Sequence, residues 1–385
     1  MLTRRPLVVV AGGIAELPAG DTLQLDAASG SRFLGGFSRW TTAKARGSSS
    51  PARFAVIGDS NVAGEGAGSG PRGLTGGAAA SFPRRLANAL GFQTASFFGD
   101  QNITVSPAVA LATYDPRLSL GSGWAPDASV SSIVGGRFLV AAAGSSGKLA
   151  FAPGSSITGF RLWYPTLSGL NTALSVAVDG TTIDTINQSS SPSIAHRDYT
   201  VSPGMHTISI GVGATGSAFV SGIECWDGSA APVLLQGGFC TARAADLNVA
   251  SNPWNSRPGA TALAPDYALL YCTINDAIAS TDVAAYYADT EALVRSLAAT
   301  ADGCLCVGFP ASTAAVTSGR YDAYAQALRS IAADANWSYF DARAVLGRSY
   351  TVASAKGYAF DNYHPSPAGA QALADGLYAF LAPHL

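Results

Sequence analysis

Charge is what this sequence has least of. Asp, Glu, Lys and Arg make up 12% of its 385 residues and balance to a net −2. So small a charge gives no electrostatic reason to expect a nucleic-acid or anionic-membrane partner. No run of about 18 consecutive apolar residues occurs, so no membrane span is expected. Cysteine is also sparse. The five (Cys225, Cys240, Cys272, Cys304, Cys306) include no Cys-x-x-Cys pair, and four lie in apolar runs. They read as buried free thiols of a protein made in a reducing compartment, not as a disulfide scaffold. No His-Glu-x-x-His or Cys/His cluster offers a metal site. No Gly-x-x-x-x-Gly-Lys-Ser/Thr loop occurs, and the glycine-rich 64–70 stretch lacks Gly-x-Gly-x-x-Gly spacing. No cofactor is expected.

What remains is a globular composition: 48% hydrophobic residues and 43 glycines, the latter pointing to many turns. The length suits two domains plus extensions. The start, basic Met1–Pro6 followed by Leu7-Val8-Val9-Val10, has the outline of a signal peptide. Its apolar run is short and meets Gly12, Gly13 and Glu16, so it reads as a strand. Residues 1–50 read as an N-terminal extension, with strands over 7–10 and 22–25 and a Gly-Ser-Ser-Ser-Pro linker at 47–51.

Phe54-Ala55-Val56-Ile57 is an apolar run of the kind a buried parallel strand needs, and Gly58-Asp59-Ser60 follows at once. A helix comes next, with Ser81 as N-cap, Pro83 in its first turn, Gly91 closing it and Phe82, Leu86 and Leu90 as its apolar stripe. From 101 to 227 no helix is expected. Short strands over 157–164, 174–178, 181–186, 206–212 and 219–226, with turns at Asp179-Gly180 and Pro203-Gly204, predict an antiparallel sandwich. Strand-helix alternation then resumes, with strands over 233–236, 267–272, 304–309 and 338–341 and helices over 282–299, 321–336 and from Ser366 onward. The fold expected is α/β: a three-layer αβα body with a five-stranded parallel sheet over 51–100 and 230–385, and an all-β, jelly-roll-like sandwich inserted over 101–229.

A serine hydroxyl becomes a useful nucleophile when a histidine takes its proton, and the histidine needs an orienting acceptor. Of four histidines, His384 is in the tail, and His196 and His206 fall in the β segment. His364 lies in Asp361-Asn362-Tyr363-His364, where Asp361 can bend back in a turn and fix the imidazole tautomer. Acyl transfer also needs donors for the developing oxyanion. Asn275, in Thr273-Ile274-Asn275-Asp276 after a buried strand, offers a side-chain amide, and the Gly238-Phe239-Cys240-Thr241 turn offers backbone N–H groups.

These four blocks, in this order, resemble those of the SGNH/GDSL hydrolase family, over residues 54–98 and 232–383. The resemblance implies Ser60 as nucleophile, His364 as general base, Asp361 as its orienter, and an oxyanion hole of Asn275 with the backbone amides of Ser60 and the second block. Two departures stand out. Thr241 and Thr273 occupy places where the family has glycine. Thr241 keeps its N–H but cannot adopt φ > 0 cheaply, so Gly238 stays open as an alternative donor. The activity implied is that of a serine esterase, with a lipase or acylhydrolase on lipid or small esters as alternative. Residues 6–10 and 17–23 resemble a stretch met in phage tail-fibre proteins, which implies a virion or tail location, with a secreted or cytoplasmic bacterial protein as alternatives. It also allows a tail-binding module with a vestigial site, or a homo-oligomer. With the sandwich, it points to O-deacetylation of a surface polysaccharide. Trp163, Tyr164 and Trp226 are candidates to stack on sugar rings, and Arg243, Trp254 and Tyr363 to line the pocket.

Overall fold

Strand Arg53–Gly58 (called β2 here) has five consecutive buried residues. Its side chains alternate between two cores. Phe54 and Val56 enter one with Phe82, Leu86, Leu373 and Leu377. Ala55 and Ile57 enter the other with Tyr286, Leu293, Tyr324 and Leu328. A strand buried on both faces needs helices on both sides, which is the three-layer arrangement. The computed structural model describes residues 7–10, 13–16, 31–104, 107–127, 133–170, 172–312, 316 and 320–385.

The central sheet holds β1 (Arg32–Phe33), β2, β3 (Val233–Gly238), β4 (Tyr267–Tyr271), β5 (Asp302–Val307) and β6 (Ser338–Asp341), in the spatial order β3-β2-β4-β5-β6-β1. Strands β2 to β6 are mutually parallel, and β1 adds an antiparallel edge to β6. The sheet therefore has six strands, not the five expected. Trp40, on the helix Ser38–Lys44 that follows β1, is fully buried and accepts β2's Phe54 edge-on. Residues 32–44 thus belong to this body, although composition alone reads 1–50 as an extension. The expected linker at 47–51 includes a helical turn, Gly47–Ser49. Residues 7–10 form a strand paired with Gly13–Glu16; the stretch 17–23 and the expected strand at 22–25 lie outside the described residues.

From residue 118 to β3 the chain is mostly antiparallel sheet, although the short helix Leu111–Tyr114 falls where no helix is expected. One four-stranded sheet carries Ile157–Thr166 and Ser193–Gly204; a five-stranded one carries Ala173–Val178, Thr181–Asn187 and Ile208–Val212. Phe160 and Leu162 of the first share a buried core with Leu174, Val176 and Ile210 of the second. Asp179 and Gly180 both have positive φ, as a tight hairpin requires. Pro203-Gly204 is not a turn: it ends the long strand Ser193–Gly204, which composition does not reveal because its residues are largely polar. Trp163 is 1% exposed and donates Nε1–H to Glu224, while Tyr164 is buried in the shared core. Neither presents a face to a sugar. Trp226 covers Gly159, whose missing Cβ would lie 2.6 Å from the indole. Trp163 and Tyr164 are taken up by packing, and Trp226 stays partly exposed. The five cysteines are free and buried.

Candidate active site

Three loops leave the sheet side by side. Gly58 pairs with Gly238 on one flank and with Tyr271 on the other, so β2, β3 and β4 end at one level. The strand order reverses between β2 and β4, the point where open α/β sheets place their ligands. Gly58 must be glycine: a Cβ there would lie 1.9 Å from the Tyr271 carbonyl oxygen. That close approach lets the Asp59 N–H donate to Tyr271 O at 3.2 Å and turns the chain sharply.

Ser60 opens the one-turn helix Ser60–Ala63, capped by Asp59, whose carboxylate accepts the backbone and side-chain N–H groups of Asn61 at 2.9 and 3.0 Å. The fourth block arrives from the loop before the helix Pro367–Leu381. That helix starts as expected, with the Ser366 hydroxyl accepting Gly369 N–H and Pro367 in the first turn. It buries Leu373, Leu377 and Leu381, each worth about 1.5–3 kcal/mol. The Ser81 helix, Phe82–Ala89, packs beside it, although the Ser81 hydroxyl donates to Ala78 O instead of capping. Gly66, at φ +83, lets the histidine loop settle: a Cβ would lie 2.4 Å from Pro365 O and 3.0 Å from the His364 Cβ.

In this setting Ser60 Oγ lies 2.9 Å from Nε2 of His364, and Nδ1 lies 2.9 and 3.0 Å from the two Asp361 oxygens. A carboxylate accepts only, so Nδ1 carries the proton and Nε2 is left to accept from the Ser60 hydroxyl. Asp361 is itself fixed by the N–H groups of Tyr363 and His364, both at 2.8 Å. The Tyr363 ring meets the imidazole edge-on. Burial pushes the imidazole pKa down, but the Asp361 bond and the charges of Glu65, Asp361 and Asp59 outweigh it, so the imidazolium is favoured above the ordinary histidine range. Asp361 goes the other way: burial raises it, and the bond to His364 with its charge lowers it further, to below the carboxylate range. Asp59 is fully buried and pushed up to about 6 by desolvation, partly offset by the Asn61 bonds.

Thr241 has φ +74, the left-handed region that a β-branched residue avoids. The backbone here keeps a glycine conformation although the residue is threonine. Among the described residues, neither Thr241 N–H nor Ser60 N–H has an intramolecular acceptor. Asn275 donates one side-chain N–H to Ala242 O at 2.9 Å, tying the third block to the second and leaving its other N–H unassigned. Gly238 is occupied by close packing; a Cβ would lie 2.4 Å from Ala63 N. Arg243 is exposed beside Asp246, and Trp254 packs against Phe138, so of the three pocket candidates Tyr363 meets His364.

Glu65, next to the imidazole, and Arg72 behind it are invisible to motif reading. Glu65 Oε2 lies 3.7 Å from His364 Nε2, and both Glu65 oxygens accept from Arg72 at 2.7 Å. An acid five residues after the serine is the signal the sequence offers. Among the described residues no group of three His, Cys, Asp or Glu side chains is arranged to hold a metal. The arrangement provides a hydroxyl, a base with a defined tautomer, and unpaired N–H donors beside them.

Residues 228–372 match the family model described as GDSL-like Lipase/Acylhydrolase. The match begins after the β segment, which separates it from the Gly58-Asp59-Ser60 turn. No curated protein matches the sequence. Among solved structures, a peptidoglycan O-acetylesterase superposes with a TM-score of 0.65 at 17% identity, over 90% of this chain and 95% of its own. An acetylxylan esterase from Geobacillus stearothermophilus is 20% identical over 39% of this chain and 72% of its own, with a TM-score of 0.33. Residues 228–372 thus resemble the GDSL-like lipase/acylhydrolase family, and the chain shares the fold of a peptidoglycan O-acetylesterase.

Proposed function

We propose that the protein is a serine esterase that removes O-acetyl groups from a polysaccharide through an acyl-enzyme. The observation that carries the mechanism is the chain of contacts from Ser60 Oγ through His364 to Asp361. Ser60 Oγ attacks the ester carbonyl and its proton passes to Nε2. The tetrahedral oxyanion is held by the N–H groups of Ser60 and Thr241 and the free N–H of Asn275. As the C–O bond breaks, Nε2–H returns the proton to the leaving alkoxide. Water then gives a proton to Nε2, attacks the acyl carbon and releases the acid, and Ser60 recovers its proton. Asp361 holds the ring and stabilises its positive charge throughout. Gly238 contributes by packing, and Thr241 is the donor of the second block.

In this reading residues 32–100 and 230–385 form the hydrolase unit, and 101–229 a β unit that walls the site. The likeness to a peptidoglycan O-acetylesterase extends over 90% of this chain, so it takes in the β sheets as well as the α/β body. This supports an acetylated glycan as the substrate class. The test is p-nitrophenyl acetate hydrolysis by wild type, Ser60→Ala and Asp361→Asn, followed by acetate release from O-acetylated peptidoglycan and from acetylxylan. Ser60→Ala should abolish turnover, and Asp361→Asn should lower kcat by about 10³–10⁴-fold. Full activity in Ser60→Ala refutes the mechanism, and faster cleavage of long-chain esters than of any acetylated glycan refutes the substrate class.

A further inference from the structure

We infer that Asn102 is a positioning residue of the oxyanion hole, acting through the peptide that joins Cys240 to Thr241. The inference rests on the esterase reading above. Asn102 Nδ2 lies 2.8 Å from the Cys240 carbonyl oxygen, in a buried contact. A carbonyl oxygen only accepts, so the atom facing it is the amide nitrogen. Cys240 C=O and Thr241 N–H belong to one peptide plane. In a trans peptide the two bonds point in opposite directions, and the plane is stiff. Pinning the oxygen from one side therefore fixes the direction of the hydrogen on the other.

That peptide needs to be held. Thr241 sits at φ +74, and a β-branched residue left to itself relaxes toward negative φ. Relaxation would swing the N–H away from its position. The adjoining bonds work the same way: Cys240 N–H donates to Gln101 O at 3.0 Å and Phe239 N–H to Gly58 O at 2.9 Å. Asn102 also approaches the Thr241 hydroxyl, with Nδ2 3.5 Å from Oγ1.

Asn102 is built to serve as a fixed donor. Gly99, Gln101 and Asn102 all have positive φ, so the loop is tightly wound. Asp100, fully buried, organises it. Its carboxylate accepts the N–H of Asn102 at 2.8 Å, the N–H of Arg137 at 2.9 Å and two guanidinium N–H groups of Arg137 at 2.7 and 3.0 Å. The loop follows strand Phe97–Phe98, which pairs with Gly222 and Ile223 of the four-stranded sheet. The β segment thus reaches the second block through Asn102 as well as through Gln101, and it holds the glycine-like backbone where the family's glycine is missing.

The experiment is a double-mutant cycle on the full chain. Asn102→Ala, Thr241→Gly and the combination are assayed for kcat and KM on p-nitrophenyl acetate, with thermal unfolding recorded for each. Removing an oxyanion donor costs about 10²–10³ in kcat; loosening one should cost roughly 10–100-fold with KM within about twofold. In the Thr241→Gly background the loss from Asn102→Ala should shrink at least threefold, because glycine takes positive φ without penalty. Equal losses in both backgrounds, a change confined to KM, an unchanged kcat, or unfolding of Asn102→Ala in both backgrounds each overturns the inference. A wild type that neither turns over the ester nor is labelled at Ser60 by a fluorophosphonate overturns the esterase reading itself, and this inference with it.

Discussion

Glu65 Oε2 lies 3.7 Å from Nε2 of His364, the same nitrogen that faces Ser60. The imidazole therefore sits between two acids, Asp361 at Nδ1 and Glu65 at Nε2, with the buried Asp59 also favouring its charged form. Only the first matches the one acid behind the histidine that the proposed mechanism needs. Unit charges near a protein surface at such a distance interact by about 4 kcal/mol, so the second acid is large enough to matter.

In the proposed mechanism the acid limb of kcat/KM reports His364, which must be neutral to act as base. Because its pKa is raised, that limb should lie above the ordinary histidine value of about 6.5. In Glu65→Gln a negative charge is lost and Arg72 loses its partner, so both changes disfavour the imidazolium. The limb should move to lower pH, and kcat at its plateau should fall roughly tenfold, equivalent to about 1.4 kcal/mol. A pH–rate profile decides this, and a limb that stays in place contradicts it.

Gly66→Ala should displace the histidine loop. The new methyl would meet Pro365 O at 2.4 Å from a residue at φ +83. The clash falls beside the catalytic contacts, so kcat should drop by about 100-fold, the usual consequence of a misplacement near 1 Å. Comparing kcat with the unfolding midpoint separates this from collapse: the midpoint should fall only modestly, and an enzyme with full kcat contradicts the prediction.

Thr241→Gly should stabilise the fold. A non-glycine residue in this region costs on the order of 1–3 kcal/mol, and glycine costs about 0.5–1 kcal/mol in unfolded-chain entropy. Thr241 is exposed, so little burial is lost. The net gain should be about 1 kcal/mol, read from urea unfolding of the two proteins. A destabilised variant would mean that Thr241 makes compensating contacts.

Asp59 gives stability a pH dependence of known sign. Its pKa is pushed up to about 6 from an ordinary 3.8. Between these values the folded protein holds the proton and the unfolded chain does not. The group's contribution to stability therefore falls as pH rises through this window. Asp59→Asn removes the titration, so unfolding midpoints at about pH 4.5 and 7 should differ less than in wild type. An unchanged difference would place the pH dependence elsewhere.

Much of the fold could be read from local signals. Residues 54–57, 233–235 and 267–272 are dense apolar runs, as a strand buried on both faces favours. Ser366-Pro367 is a start signal that works through its own hydroxyl, so it survives any tertiary context. The strand Ser193–Gly204 gave no such signal, because it is polar and is held by pairing with Ile157–Thr166 across more than two dozen residues. The short edge strand Arg32–Phe33 is likewise defined by its partner at Tyr339 and Phe340.

By itself the sequence determined which residues are candidates for the proposed chemistry: a serine after a buried strand, a histidine with an aspartate three residues before it, and an amide after another strand. These are local facts, set by turn geometry and by the scarcity of histidine. Only the tertiary structure decided what surrounds them. It set Glu65 against the imidazole, wound Thr241 into a glycine conformation and brought Asn102 to the back of its peptide. Each depends on packing between segments far apart in the chain, and no local pattern encodes a contact whose geometry is set by the whole sheet edge.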